Sequence, residues 1–207
     1  MIPLYEDAGS GQLSDLSDLG VEGEPVIEKL IAGGADLVSF SGDKLLGAVQ
    51  AGLIVGKRGI VDRLRRHPLY RALRSDKLRL AALEATLAAH QRNQTEVPVL
   101  QMLSLTKQEI STRAQSLLSQ VSNNSKTSTD LTLSTANLRL VEVQDQPQTF
   151  PTTVIAVSDP NRTAQEIETI LRTSLPPVIA RIADQKVLLD LRTVFPDQED
   201  SLLKDFR

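Results

Sequence analysis

Residues 36–56, DLVSFSGDKLLGAVQAGLIVG, restrict the fold more than any other stretch of this chain. Leu37, Val38 and Phe40 form an apolar run that stops at Ser41-Gly42-Asp43-Lys44, and Leu53, Ile54 and Val55 form a second. Short β-rich runs bounded by glycine and polar residues read as buried strands. Lys44 then sits just past a strand end, and open α/β sheets bind ligands beyond the carboxyl ends of their strands. Walled by Leu45, Leu46 and the strands, its amine is either a partly desolvated nucleophile able to form Schiff bases or an ordinary solvated loop lysine.

Asp7 bears on that choice. Residues 2–5 are apolar and run into Glu6-Asp7-Ala8-Gly9-Ser10-Gly11, while Glu24-Pro25 opens a helix that closes at Gly33-Gly34. Strand, helix and strand make a βαβ unit with parallel strands, so Asp7 and Lys44 emerge at one edge of the sheet. A lysine for an aldehyde carbon and a carboxylate for a pyridine nitrogen are what pyridoxal phosphate chemistry requires. A turn-forming role for Asp7 ahead of Gly9 is the other reading.

Residues 40–56, 67–78 (HPLYRALRSDKL) and 80–87 (LAALEATL) resemble the bacterial selenocysteine synthase family, L-seryl-tRNA(Sec) selenium transferase. The tail resembles the same family's end at PPVIARI, 176–182, and VLLDLRTV, 187–194. The resemblance implies an α/β chain: the C-terminal part of a fold type I, pyridoxal phosphate-dependent large domain, with a parallel-type sheet and helices, plus a small α+β C-terminal domain. It implies a partial large domain and interdomain helix over 1–97 and the small domain over 98–207. It makes Lys44 the lysine that holds pyridoxal 5'-phosphate, with Ser41 and Asp43 beside it in the cofactor site, and Asp7 the partner of the pyridine nitrogen. Arg71 and Arg74 become holders of an anionic, selenophosphate-like donor. Against the family, the first half, with its tRNA-binding region and phosphate loop, is missing. Gly47-Ala48-Val49-Gln50 stands where the family has two glycines and a proline, and Gln185 where it has a turn glycine.

Composition limits the alternatives. A chain of 207 residues, 41% hydrophobic, can bury a core, but with 3% aromatics aliphatic side chains must fill it. A net charge of −3 argues against a protein that coats nucleic acid generally, though a local basic patch can still meet tRNA. Cysteine is absent, which removes disulfides and thiolate metal sites, and two histidines, His67 and His90, do not make a histidine-rich metal site. No apolar run is long enough to span a bilayer and no leader pattern opens the chain, so the expectation is a soluble cytoplasmic protein without a membrane partner.

Downstream, 57–66 reads as a helix ended by His67-Pro68. Arg63, Arg65, Arg66, Arg71, Arg74, Lys77 and Arg79 crowd into seventeen residues, as a solvated face or an anion site. Arg71 and Arg74, three apart, can converge on one anion from a helical turn. Ser75 is positioned to cap a helix over 76–92 with Leu80, Leu83 and Leu87 on one face and His90 exposed near its end. Thr106 with Glu109, and Thr163 with Glu166, have capping-box spacing. A polar loop is expected over 122–130, strands around Leu138, Leu140, Val143 and 153–157, and a hairpin of 178–182 with 187–191. Asp197 opens a last helix. Alternation puts Arg181 opposite Val178, Ala180 and Ile182, where it either grips a substrate carboxylate or makes a surface ion pair.

Three functions follow. The first is conversion of seryl-tRNA(Sec) to selenocysteinyl-tRNA, with a homo-oligomer or a separate N-terminal half as protein partner. The second is a related lyase acting on a small amino acid or amino sugar. The third is a non-catalytic remnant or companion chain, favoured by the late start.

Overall fold

A computed structural model describes residues 2–122, 129–140 and 148–204. The chain divides into two compact units, residues 1–104 with 140–148, and residues 105–139 with 149–207. The expected strand residue Val143 and most of the polar loop at 122–130 lie outside the described residues.

Unit 1 opens with β1 (Tyr5–Gly9), α1 (Ile27–Ala32) and β2 (Leu37–Ser41), and β1 and β2 pair in parallel. The first strand is displaced from the expected apolar run: Ile2 is exposed and Tyr5 begins the pairing. The residue that holds β1 inward is Ala8, which packs with Ile27, Ala35, Val38, Phe40 and Leu46. β3 (Gly52–Gly56) joins β2 antiparallel, giving the order β1-β2-β3. Only residues 42–51 connect the two strands, and a parallel return needs a crossover of about a dozen residues or more. β3 is also an edge strand with Ile54 and Val55 exposed, rather than the buried strand its composition predicts.

Three helices follow, α2 (Arg58–Arg66), α3 (Pro68–Leu73) and α4 (Lys77–Arg92). His67 closes α2 and opens α3, its Nδ1 accepting the Leu69 amide at 3.3 Å. The cap of α4 is Asp76, one residue past the expected Ser75: its carboxylate accepts the Arg79 amide at 2.9 Å. Carboxylate and hydroxyl serve equally as caps, so composition alone does not separate the two. Leu83 and Leu87 pack on the sheet cluster, while Leu80 on the same expected stripe is 53% exposed. α5 (Pro98–Ser104) buries Leu100 and Leu103.

Unit 2 comprises α6 (Lys107–Ser122), β4 (Asp130–Leu140), β5 (Gln148–Ser158), α7 (Ala164–Thr173), β6 (Arg181–Ala183), β7 (Lys186–Asp190) and α8 (Glu199–Lys204). Its sheet has the order β4-β5-β7-β6. Both capping boxes form. Glu109 Oε2 accepts the Thr106 amide at 2.7 Å, and Glu166 Oε2 accepts the Thr163 amide at 2.7 Å. Ile110, Ala114, Leu117 and Val121 of α6 and Ile167 and Leu171 of α7 then enclose Ile155, Val157, Val187 and Leu189 of the sheet. Two arginines tie loops to this core. Arg113 pairs with Glu199 at 2.7 Å and donates to the carbonyls of Leu191 and Val194. Arg192, 3% exposed, donates to the carbonyls of Leu105 and Pro151, and burial pulls its pKa below the ordinary arginine value.

Candidate functional site

The turn between β2 and β3 is closed by its own backbone. Gly42 N donates to Ala51 O at 2.8 Å, Ala48 N to Gly42 O at 2.7 Å, and Gly47 N to Lys44 O at 2.9 Å. Leu45 N donates to Ser10 O at 2.9 Å, tying the turn to the segment after β1. Leu45 and Leu46 are buried beneath it, and Lys44 is half-buried. Gly47 has φ +69°, and a Cβ there would meet Val97 Cγ1 at 2.6 Å. One glycine of this turn is therefore demanded both by its backbone conformation and by close packing. Ala48 and Val49 are accommodated without that demand.

Lys44 lines an open pocket of about 780 Å³ together with Ser41, Asp43, Arg74, Ser75 and Arg79. Of the residues singled out from sequence, the pocket gathers Ser41, Asp43, Lys44 and Arg74. It adds Arg79, which the sequence shows only as one member of a basic run. Arg79 also pairs with Asp76 at 3.3 Å. The Asp76 carboxyl lies below the usual carboxylate range, chiefly because it accepts the Arg79 amide. Arg71 is exposed on α3 and is not among the pocket's lining residues. Arg74 is the residue after α3, with ψ 139°, so the two do not share one continuous helical turn.

Asp7 sits within β1 rather than at a turn beyond it, in register with Ser39 of β2. Ser39 Oγ donates to Asp7 Oδ1 at 3.1 Å, and the Gly9 amide donates to the same oxygen at 3.2 Å. The Tyr5 hydroxyl lies 2.8 Å from Ser39 Oγ, so with Ser39 donating to Asp7 the tyrosine donates to Ser39. Ser39 and Ser41 share a face of β2, opposite buried Val38 and Phe40. Asp7 is thus on the face that leads to the pocket, about 7 Å before its rim at two residues of strand rise. Sequence reading missed Ser39 and Tyr5. The signal was the Ser39-x-Ser41 alternation, which required the strand register to interpret.

Arg181 lies exposed on β6 in unit 2, its guanidinium donating to the Asn137 carbonyl at 3.4 Å. His90, expected to be exposed, is partly buried: its Nε2 is 2.9 Å from the Leu46 carbonyl oxygen. Among the described residues no group of three or more His, Cys, Asp or Glu is placed to hold a metal ion, and no helix is long and apolar enough to cross a membrane.

The family model described as L-seryl-tRNA selenium transferase matches residues 1–195. The L-seryl-tRNA(Sec) selenium transferase of Geobacter sulfurreducens is 40% identical over 100% of this chain and 45% of its own length. That of Moorella thermoacetica is 40% identical over 98% of this chain and 44% of its own. The chain therefore spans under half the length of these curated relatives. A solved structure of D-glucosaminate-6-phosphate ammonia-lyase shares the fold, with a TM-score of 0.58 and 20% identity over 100% of this chain and 48% of that one. With the match covering nearly its whole length, this chain belongs to the L-seryl-tRNA selenium transferase family.

Proposed function

We propose that this chain carries the amine and anion-binding parts of a pyridoxal phosphate-dependent selenium transferase that acts on seryl-tRNA(Sec). The observation that carries the reading is the grouping of Lys44 with Ser41, Asp43 and Arg74 around one open pocket. The pocket's donors fit the reading: a primary amine at Lys44 for the cofactor's aldehyde, and guanidinium groups at Arg74 and Arg79 for an anionic donor. When bound, pyridoxal phosphate supplies an electron sink for a carbanion at the substrate α-carbon.

In this reading Lys44 would hold the aldehyde carbon and, once the seryl amino group has displaced it there, its freed amine would take the α-proton of the seryl group. Asp7, oriented by Ser39, holds a proton at the pyridine nitrogen. Arg74, with Arg71 upstream on α3, binds a selenophosphate-like anion, and Arg181 is the candidate to hold a substrate carboxylate. The activity belongs to a protein of the relatives' full length, in a cytoplasmic homo-oligomer or together with a separate N-terminal half. Residues 1–97 then serve as the cofactor-domain part and 98–207 as the small domain.

The test is incubation with pyridoxal phosphate, reduction with borohydride and peptide mapping. The expected result is one labelled peptide containing Lys44, lost in Lys44→Ala with the fold unchanged. Label scattered over surface lysines, with Lys44 unmarked, would remove the site.

A further inference from the structure

α4 is anchored to the sheet cluster through Leu83 and Leu87, and one turn beyond Leu87 it delivers the His90 ring to the turn that follows Lys44. The ring atom that arrives is Nε2, 2.9 Å from the carbonyl oxygen of Leu46. A carbonyl only accepts, so Nε2 carries the hydrogen of this bond. Nδ1 is itself buried, with no hydrogen-bond partner among the described residues. A ring placed with one nitrogen desolvated and the other committed to a single carbonyl makes one polar contribution here, the bond to Leu46.

The Gly42 and Lys44 carbonyls of the turn accept from the Ala48 and Gly47 amides, and the Ser10 carbonyl beside it accepts from the Leu45 amide. The Leu46 carbonyl is held instead by a side chain 44 residues away on another element. Leu46 is fully buried two residues after Lys44, and Gly47 packs against Val97 and Val99 beyond it. Fixing this carbonyl sets the plane of the peptide between Leu46 and Gly47, and through the Gly47 amide, bonded to Lys44 O, the backbone at Lys44.

We propose that His90 is a positioning residue for Lys44: its Nε2–H clamps the Leu46 carbonyl and so holds the lysine turn against α4 with the amine presented to the pocket. The proposal rests on the reading of Lys44 as the cofactor-holding amine. It assigns His90 no contact with substrate or cofactor.

Three substitutions separate the bond from the bulk of the ring. His90→Phe keeps a ring and removes the donor. His90→Gln keeps an amide nitrogen at the reach of Nε2, whereas His90→Asn keeps an amide that is too short for Leu46. The first measurement is amide hydrogen exchange at Gly47 and Ala48, which needs no cofactor. His90→Phe and His90→Asn should each speed it by about tenfold or more, with β1 and β2 unchanged, and His90→Gln should restore it. The second measurement is the share of borohydride-fixed pyridoxal phosphate found on Lys44. It should fall several-fold in the Phe and Asn variants and recover in Gln.

Should His90→Phe fail to fold, the Asn and Gln pair makes the same comparison. Unchanged exchange in the Asn variant would overturn the clamp. Faster exchange with Lys44 labelling unchanged would overturn the positioning role and leave His90 as packing alone. Absence of Lys44 labelling in the unmutated chain would refute the cofactor reading, and the positioning role with it, whatever the exchange shows.

Discussion

The two units use their helices differently. In unit 2, α6 and α7 each begin with a complete capping box and bury an aliphatic stripe against the sheet, so Ile110, Val157, Val187 and Leu191 are fully enclosed. In unit 1, no residue of α2, α3 or α4 is buried, and Leu69, Leu73, Leu78 and Leu80 are exposed. In unit 2, α6 and α7 close the core; in unit 1 the core is made by the sheet with Ile27 of α1 and Leu46, and α2, α3 and α4 leave apolar side chains in the open. Apolar area removed from water is worth about 25 cal/mol per Å², so unit 2 draws more stability from its own residues than unit 1 does from these helices. Unit 1 adds particular polar contacts between its segments, of which Asp7 with Ser39 across the strand pair and His90 with Leu46 at the lysine turn are the clearest.

The widest separation is expected between a buried and an exposed leucine-sized side chain. Ile110→Ala in α6 should cost about 2–5 kcal/mol, from lost transfer energy and the cavity left behind. Leu78→Ala, at a position 84% exposed on α4, should change stability by no more than about 0.5 kcal/mol. Urea-dependent amide exchange, read separately in the two units, measures both. A loss at Leu78 comparable to that at Ile110 would break the comparison, because it would show this side of α4 to be covered in solution.

Next in size is the capping of α7. Thr163→Ala removes a hydroxyl that accepts the Glu166 amide and should cost about 1 kcal/mol. The partner carboxylate adds a pH dependence. Glu166 lies below its ordinary pKa of 4.5, first because it accepts the Thr163 amide and then through the Thr163 hydroxyl; Glu109 is lowered by the Thr106 hydroxyl and amide. A depressed folded-state pKa gives stability that is complete above the unfolded value and lost as pH falls through the folded one. Unit 2 should therefore weaken as pH drops below about 4.5. Glu166→Gln, which can still accept the Thr163 amide, should flatten part of that acid slope. An unchanged slope would locate the acid sensitivity elsewhere.

These caps were legible because they are local: Thr-x-x-Glu brings both partners within one turn whatever the rest of the chain does. The Lys44 turn was legible for a similar reason, since an apolar run, a glycine-containing polar break and a second apolar run permit few paths. What was not legible depends on pairing between distant segments. The apolar run at 2–5 suggested a strand ending before Asp7, but the pairing begins at Tyr5 and turns on Ala8, whose small side chain carries little sequence signal. Ser39 gained meaning only from its register opposite Asp7. His90 read as exposed because it follows the leucine stripe of α4, and its acceptor is 44 residues upstream. The spacing of Arg71 and Arg74 assumed a continuous helix, which α3 ends one residue before Arg74.

The smallest expected effect concerns left-handed backbone, which each unit handles in its own way. At the tip of the β6–β7 hairpin, Asp184 and Gln185 have φ of 49° and 59° between the paired residues Ala183 and Lys186. Positive φ at both central residues of a two-residue loop is the type I′ arrangement, whose twist matches that of the flanking strands. Asp tolerates this region because its short side chain can bond locally; Gln, with a longer unbranched chain, meets the ordinary steric cost of about 1–2 kcal/mol. Gln185→Gly removes that cost but widens the unfolded ensemble, so the net gain should be about 0.5–1 kcal/mol. In unit 1 the left-handed residue of the lysine turn, Gly47, is already glycine, and its neighbours leave no room for a Cβ. The site-bearing turn is thus relaxed where its backbone is most constrained, while the strain in unit 2 sits on an exposed hairpin tip away from its core. A urea midpoint for unit 2 that rises in Gln185→Gly would support that contrast. A midpoint that stays level or falls would mean that the hairpin adopts another turn in solution, and the contrast would then rest on Gly47 alone.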